Sequence, residues 1–407
     1  MPALRDLRLG VAVLSASAVG YTMVGYPLLM ALRARTAPRP LPRTDHRPTI
    51  TVLVPAHNEA DVIARKLDSI LALDYPREQL DVLVVDDGST DGTGEIVRRY
   101  VDEHGVRCLP RTPRAGKMAA INAGMAEARG ELVLLTDASA TFPTASLLAA
   151  VAPFAADEVG VVSGQNLIRG GGGAVEQPAG LYWRYQERLR HWESLTGSTV
   201  GVTGNLFVFR RGDYRPLPDD TINDEFAIAM DVAGRGRRVL YEPEAVAYDE
   251  ASASMDEEMA RRTRINAGRY QSLARYCAAV AREPSLLFRL VSHKVLRVLT
   301  PLFLLALAVS SLRRVPADGA APRRLLAGLH RYVLRPGQLA LYGAAAAGRL
   351  LERAGRPLPK AVSVPYFFVA SNTAAFGGLL RFLRGGQSVI WQKRSATTGT
   401  TDFEEAA

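Results

Sequence analysis

Acidic side chains follow β-type runs at three places in the first half of the chain. The run that starts at Leu80 ends in Asp-Asp-Gly-Ser-Thr-Asp, from Asp86 to Asp91, and the run that starts at Glu131 ends at Asp137. A third run closes with Pro55 and is followed by Glu59. Because ligands of open α/β sheets bind beyond the carboxyl ends of the strands, these residues are candidates for ligand binding. An ordinary turn that caps the next helix is the alternative for the Asp-Asp-Gly-Ser segment.

The elements around these residues predict the class of fold. Between Thr49 and Tyr248, short β-rich runs alternate with helical patterns, which predicts an α/β domain with a largely parallel sheet. The predicted crossover helices cover residues 61–73, 92–103 and 117–129. The glycine run 170–173 predicts a surface loop, and a long charged helix is predicted from Ala253 to Ala281.

Apolar segments at the two ends of the 407-residue chain predict membrane helices. Residues 10–32 are uncharged and long enough to cross a bilayer, and a signal peptide is the alternative for this segment. Four arginines follow between Arg33 and Arg43, which predicts that the next domain lies in the cytosol. Residues 286–297 predict an interfacial helix and Val298–Leu312 a span, with further apolar stretches at 338–351 and 361–383, so the number of crossings stays open.

These patterns divide the chain into five parts. The division is an N-terminal transmembrane anchor at 1–35, a basic Pro-rich linker at 36–48, a cytosolic domain at 49–282, interfacial and transmembrane helices at 283–394, and a disordered tail at 395–407.

The net charge of +9 does not indicate nucleic-acid binding. The basic residues are concentrated beside apolar runs, where membrane lipids are the expected partner, and the chain carries no nucleic-acid motif. The two cysteines, Cys108 and Cys277, have no metal-binding or redox spacing, and they fit a reduced compartment.

Three segments together carry a resemblance to a known family. They are Pro55, Ala56, Asn58 and Glu59; then Asp86, Asp87, Gly88, Ser89 and Asp91; and then Arg114, Gly116, Lys117, Ala120, Asn122 and Gly124. In this order the chain resembles the family 2 glycosyltransferases, which are inverting enzymes with a GT-A fold. The resemblance spans roughly residues 49 to 270. It implies a mostly parallel sheet flanked by helices, with the terminal membrane helices added to it.

The resemblance also implies a nucleotide-binding set. That set is Pro55, Glu59, Asp86, Asp87, Arg114, Lys117 and Asp137. Glu59 and Asp87 would contact the uracil and ribose of a UDP-type donor, and Lys117 would lie near the phosphates. The chemistry agrees, because carboxylates accept hydrogen bonds from base N–H and ribose hydroxyl groups, and a lysine at a helix start adds positive charge.

Asp137 is the predicted metal ligand, for Mg²⁺ or Mn²⁺. The family usually has two acids in an Asp-x-Asp motif here, whereas Ser139 stands at the second position of this chain. A hard cation accepts one carboxylate together with phosphate oxygens and water, so one acid suffices for a site. The alternative is that Asp137 caps a helix that begins near Phe142.

The resemblance places the catalytic base at Glu225, with Asp224 beside it as a second candidate. A carboxylate there would take the proton of the attacking hydroxyl, whereas favourable charges in a first helical turn are the alternative. Gly204 would line the acceptor side, and Arg264 would pair with the diphosphate. Ile265 stands where processive members carry tryptophan, which favours short additions over long-chain synthesis.

The sequence therefore predicts a membrane enzyme of polysaccharide biosynthesis. It would move a sugar from a nucleotide sugar, expected to be a UDP-sugar, to a membrane-proximal glycan or lipid-linked acceptor. The predicted location is the inner (plasma) membrane, multi-pass, with a cytosolic catalytic domain. Two alternatives stay open: a processive polysaccharide synthase, and a catalytically inactive, sugar-binding partner in an export complex.

Overall fold

A computed structural model describes residues 2–42, 44, 47–169, 176–250, 255–312 and 320–385. The predicted glycine loop at 170–173 and the predicted disordered tail at 395–407 lie outside the described residues. The helices are α1 Pro2–Gly20, α2 Tyr26–Thr36, α3 Ile63–Leu71, α4 Thr93–His104, α5 Lys117–Glu127, α6 Ser146–Val151, α7 Glu176–Leu195, α8 Asp224–Ala233, α9 Met255–Val280, α10 Pro284–Arg289, α11 Leu296–Ser311, α12 Ala321–Leu329, α13 Arg335–Arg353 and α14 Lys360–Leu383.

A seven-stranded sheet forms the centre of the domain. Its strands are β1 Ile50–Ala56, β2 Leu80–Asp87, β3 Arg107–Arg111, β4 Leu132–Leu135, β5 Val159–Arg169, β6 Phe207–Arg210 and β7 Arg238–Glu250. Their order is β3-β2-β1-β4-β6-β5-β7, and only β6 runs antiparallel to its neighbours among these strands. The predicted α/β class with a largely parallel sheet flanked by helices is confirmed.

The order of the strands brings the predicted site residues to one edge. In the parallel pairs, Ala56 at the end of β1 lies opposite Asp86 near the end of β2, and β4 lies on the other side of β1. Because parallel strands end at the same edge, the segments that follow β1, β2 and β4 meet there.

Both faces of the sheet are covered, which explains why its strands are apolar throughout. Val52 and Val54 face one core, which α3 and α6 cover, whereas Leu53 faces a second core that includes Ile121 of α5 and Phe226 of α8. Successive side chains of a strand point to opposite faces, so every residue of β1 is buried.

Two helices among the described residues are long and apolar enough to cross a membrane, Asp6–Thr36 and Pro284–Ser311. The second differs from the sequence expectation, which separated an interfacial helix from a span at Val298. In the structure α10 continues into α11 through a π-helical turn at Leu290–Val295, because no helix-ending turn interrupts the chain there. α1 packs against α11, so the first of these apolar helices lies beside the second.

One buried carboxylate connects these helices to the sheet domain. Glu193 of α7 is fully buried, and its Oε1 accepts hydrogen bonds from Tyr26 Oη at 2.6 Å and His293 Nδ1 at 2.9 Å. Its Oε2 accepts from Thr199 Oγ1 at 2.7 Å and from the backbone N–H of Val200 at 3.3 Å. The segment from Thr199 onward is therefore held by residues from both ends of the chain.

Candidate active site

Asp87 fixes the loop that leads into α5. Its side chain is fully buried, and its two oxygens accept hydrogen bonds from the backbone N–H groups of Ala115 at 3.0 Å and Gly116 at 2.8 Å. A buried carboxylate that accepts two backbone hydrogen bonds is held in place. Asp87 thus positions Lys117, which is the residue after Gly116. The predicted contact of Asp87 with the nucleotide stays a prediction.

The segments after β1 and β2 are joined by polar contacts. Asn58 adopts a positive φ of 55°, and its Oδ1 accepts a hydrogen bond from the N–H of Thr90 at 2.8 Å. Asp86 Oδ1 accepts from the N–H of Ser89 at 3.0 Å, and the N–H of Glu59 donates to Thr93 Oγ1 at 2.8 Å. These bonds leave the half-buried Glu59 side chain at the same sheet edge, beside the end of β2.

Gly88 allows the third predicted segment to approach this edge. It has a φ of +72°, and a Cβ at this position would lie 3.3 Å from the backbone nitrogen of Arg114. A side chain at this position would be strained and would push the Arg114 loop away. Pro55 is buried in β1 opposite Val85, where it shapes the strand end and offers no polar side-chain atom.

Lys117 gathers two of the predicted acids. Its Nζ lies 2.7 Å from Asp137 Oδ1 and 3.1 Å from Asp224 Oδ2, although these residues come from the start of α5, the end of β4 and the start of α8. Burial alone would lower the pKa of Lys117, but Asp137 and Asp224 outweigh burial and raise it well above its ordinary value. We refer to Asp137, Asp224 and Glu225 around Lys117 as the acidic cluster.

Glu225 of the acidic cluster has a raised pKa. Burial and the neighbouring Asp224 raise the pKa of Glu225 to about 8, although Lys117 opposes the shift. A Cβ at Gly204 would lie 3.6 Å from Glu225 Oε2, so the glycine leaves the carboxylate open on that side. A carboxylate whose pKa is raised to about 8 is suited to general base chemistry near neutral pH.

Arg264 of α9 belongs to the same neighbourhood. Burial lowers its pKa, and the charges of Asp137, Asp224 and Glu225 act in the opposite direction. α9 is fixed against the start of α8 by the bond from Asn223 Nδ2 to the carbonyl of Ile265, 3.0 Å. The predicted residues Gly204, Asp224, Glu225 and Arg264 thus lie together, although they are far apart in sequence.

The residues at Asp137 fit a divalent cation. The Asp137 side chain is 41% exposed, so its carboxylate is a hard oxygen donor that a cation can reach. The ammonium of Lys117 contacts the same carboxylate. It caps no helix, because α6 begins at Ser146 with Ala145 at its N-cap. No group of three or more His, Cys, Asp or Glu in the described part of the chain could hold a metal ion. Asp137 would hold the cation, and phosphate oxygens of a bound nucleotide are among the ligands that hard cations accept.

Two residues that contact the segment around Asp137, Asp249 and Lys66, were not predicted from the sequence. Ser139 Oγ donates to Asp249 Oδ1 at 3.4 Å, so a carboxylate from β7 lies where the chain lacks the second acid. Lys66 is fully buried, and its Nζ donates to Thr136 Oγ1 at 2.7 Å. Lys66 sits in the apolar stripe of α3 between Ile63 and Ile70, and a lysine in such a stripe is a detectable signal.

Part of the chain matches a known protein family in sequence. Residues 51–217 match the family model described as glycosyl transferase family 2. The chain is 25% identical over 245 residues to a probable glycosyltransferase, YdaM, of Bacillus subtilis, covering 57% of each chain. It is 25% identical over 204 residues to a poly-beta-1,6-N-acetyl-D-glucosamine synthase of Staphylococcus aureus, covering 49% of each chain. The chain thus spans about half the length of these curated relatives.

A solved structure is similar to this chain over more of its length. The mannosyltransferase PcManGT from Pyrobaculum calidifontis, in complex with GDP-Man and Mn²⁺, is 28% identical to this chain and has a TM-score of 0.68. The match covers 92% of this chain and 99% of that one.

Proposed function

We propose that this chain, whose residues 51–217 match the glycosyl transferase family 2 model, transfers a sugar from a nucleotide sugar to a hydroxyl acceptor with inversion. One observation supports the proposal most strongly. The acidic cluster and Arg264 combine a candidate metal ligand, a carboxylate with a raised pKa and two cations in one group of neighbouring side chains. This is the set of groups that sugar transfer from a diphosphate requires.

The reaction would divide the roles among these residues. Glu225 takes the proton of the acceptor hydroxyl as its oxygen attacks the anomeric carbon, and the bond from that carbon to the diphosphate oxygen breaks. Lys117 and Arg264 bind the diphosphate and stabilise its negative charge as it leaves. Asp137 would hold Mn²⁺ or Mg²⁺, which supplies further charge neutralisation at the diphosphate when bound.

The donor is proposed at the level of a nucleoside diphosphate sugar. The polar segments after β1 and β2, with Glu59, Asp86 and Asp87, form the side of the cleft assigned to the nucleoside. UDP was expected from the sequence, whereas the similar mannosyltransferase was solved with GDP-Man, so both bases belong in a donor screen.

Purified full-length protein should release a nucleoside diphosphate from one nucleotide sugar when Mn²⁺ is present. The measurement is nucleotide release from a panel of UDP-sugars and GDP-sugars, with and without chelator, in membranes or detergent. Loss of release on chelation is expected, because a cation held by Asp137 would neutralise negative charge on the leaving diphosphate. If the protein neither binds nor cleaves any nucleotide sugar with Mn²⁺, the proposed function is wrong.

The activity should rise as the pH increases through about 8. Because burial and Asp224 raise the pKa of Glu225 to about 8, the base is protonated and inactive below that pH and becomes active as pH rises through it. The value of kcat/KM, which reports the free enzyme, should change about tenfold per pH unit on the acidic limb. A profile that is flat from about pH 6 to pH 9 would contradict this assignment.

We propose that the enzyme acts at a membrane. Besides the two long apolar helices, large apolar side chains are exposed on helices at both chain ends. These include Leu14, Leu28, Leu305, Val309, Leu339 and Leu383. Water would solvate such a surface poorly, whereas acyl chains cover it. The arginines in the last turn of α2 and just after it, Arg33, Arg35 and Arg39, favour a cytosolic catalytic domain.

A processive synthase is the second candidate, and the staphylococcal relative favours it. Ile265, at the position where processive members carry tryptophan, favours addition of one or a few sugars. Product length separates the two candidates, since a synthase gives a ladder of long products at low enzyme concentration.

A further inference from the structure

A second group of cations lies beside the acidic cluster and has no role in the mechanism above. It consists of Arg190 of α7, Arg269 of α9, and Lys294 and Arg297 of the helix Pro284–Ser311, and we call it the cation cluster. None of the four makes an ion pair within 4 Å across the described ranges. By contrast, the nearby Arg262 is paired with Glu258 at 2.7 Å.

The members of the cation cluster converge on one set of aromatic rings. The guanidinium carbon of Arg297 lies 5.7 Å from the ring centre of Tyr182 and 5.4 Å from that of Tyr185. Arg190 lies 6.0 Å from the Trp183 ring, and Lys294 Nζ lies within electrostatic range of Arg269, Arg190 and Arg297. Burial raises the pKa of Tyr182, but Arg297, Arg269, Arg262 and Arg190 lower it to about 8.

Two donors at this place have no acceptor. Arg190 is 4% exposed and its Nη1 has no hydrogen-bond partner among the residues described. Nη1 of Arg297 is the second such donor. A buried charged donor without an acceptor is costly, so a cluster of them indicates a bound anion.

The nearby acids do not supply that anion. Glu193 is engaged by Tyr26, His293 and Thr199, and Glu258 is shared between Arg261 and Arg262. Glu187 is close to Arg190 but accepts a bond from Gln165 at 3.4 Å. The cation cluster therefore keeps an excess of positive charge.

The cation cluster also adjoins the proposed base. Lys294 Nζ lies 5.5 Å from the ring centre of Phe226, the residue after Glu225, and Arg269 interacts with the charge of Glu225. A Cβ at Gly201 would lie 2.7 Å from Arg190 Cγ, and Gly201 starts the segment that ends at Gly204 against Glu225. An anion held here would place the rest of its molecule near the acceptor side of the base.

An apolar cavity lies on the far side of the same aromatic rings. Its volume is about 670 Å³, and it lies between α9, α13 and α14, with Met259, Ala346, Tyr366, Ala370 and Ala374 in its lining. The ring centres of Tyr182 and Phe367 are 6.1 Å apart, and Phe367 follows Tyr366 in α14. A molecule with an anionic head and an apolar chain fits both features, whereas a free anion fits only one.

We propose that the cation cluster binds the phosphate or diphosphate head of a lipid acceptor, with its chain toward this cavity and its sugar hydroxyl toward Glu225. This deepens the proposed function and rests on it. The donor diphosphate is assigned to Lys117, Arg264 and the cation at Asp137, so the two anions have separate partners. Lys294, Arg297 and Arg269 are half-buried, so a ligand can reach them.

The test measures binding to full-length protein in detergent without divalent cations. The probes are farnesyl diphosphate, farnesol, inorganic pyrophosphate and phosphatidylglycerol. Farnesyl diphosphate should bind at least about tenfold more tightly than the other three, because only it offers both a concentrated negative charge and an apolar chain. Lys294→Gln and Arg269→Gln should each weaken its binding about tenfold or more, the usual effect of losing one charge-assisted contact.

Arg188→Gln is the matched control, since Arg188 is an exposed arginine on α7 outside the cation cluster, and its binding should equal that of the wild type. Equal binding of farnesol or of pyrophosphate would overturn the proposal, and so would equal binding of phosphatidylglycerol, which would indicate a general lipid site. Unchanged binding in both cluster variants would overturn it as well. Nucleotide binding with Mn²⁺ in the same variants should stay near wild type, which checks folding. If even the wild type bound no nucleotide, the proposed function would fail, separately from this result.

Discussion

Glu225→Gln should reduce kcat by about 10²- to 10⁴-fold, the usual contribution of a positioned general base. Glutamine keeps the shape of the side chain against Gly204 but cannot accept the proton of the acceptor hydroxyl. Donor binding should be nearly unchanged, because Lys117, Asp137 and Arg264 remain. The measurement is product formation under single-turnover conditions, together with nucleotide affinity in the presence of Mn²⁺.

The neighbouring acid provides the decisive comparison. Asp224 contacts Lys117 at 3.1 Å and is 4% exposed, so Asp224→Asn should disturb the position of Lys117 and weaken donor binding. Retention of activity in Glu225→Gln together with its loss in Asp224→Asn would move the base to Asp224. Retention of activity in both variants would show that neither carboxylate is the base. Absence of product from the wild type as well as from both variants would favour the inactive, sugar-binding alternative. Glu103→Gln, on the exposed end of α4, is the control.

Asp137→Asn should lower the affinity for nucleotide measured with Mn²⁺ to the affinity that the wild type shows when a chelator has removed the metal. The amide keeps the size of the side chain but removes the one exposed carboxylate of the metal site. The loss of Mn²⁺ affinity should be at least about 10- to 100-fold, the effect reported even for groups that only orient metal ligands. Calorimetric titration of UDP and GDP with and without Mn²⁺ measures this directly.

Two controls separate metal loss from loss of charge balance. Asp137 is also a partner of Lys117, so metal-free affinity must be measured for the variant as well as the wild type. Asp157→Asn changes a fully exposed aspartate and should leave both titrations unchanged. If Asp137→Asn kept the full Mn²⁺ effect, another ligand would hold the cation, and Asp249 beside Ser139 would be the first residue to examine.

The sequence predicted the positions of those site residues that directly follow a strand or begin a helix. Asp86, Asp87 and Asp137 each follow a strand directly, and their place at one sheet edge follows from parallel strand order. The start of α5 at Lys117 and of α8 at Asp224 also agreed with the motif spacing. The ligand roles of these residues remain predictions, because the geometry shows only their positions.

The sequence was less informative where partners come from distant segments. Asp249 reaches Ser139 only because β7 is long and pairs with β5 past an irregularity in register. The cation cluster draws on α7, α9 and the helix Pro284–Ser311, and its basic residues look like solvated charges when each helix is considered alone. Asn122, part of a family motif, fixes the segment at Leu217 through its side-chain amide and lies outside the acidic cluster's contacts.

Glu193 has a consequence for the order in which a newly made chain folds. Its carboxylate accepts hydrogen bonds from Tyr26, which is synthesised early, and from His293, which is synthesised late. Until the helix Pro284–Ser311 packs against α7, the carboxylate lacks the hydrogen bond from His293. The same carboxylate accepts hydrogen bonds from Thr199 and Val200, at the start of the segment that leads to Gly204. We therefore expect the segment beside Glu225 to reach its final conformation only after the late helix has been made and has packed.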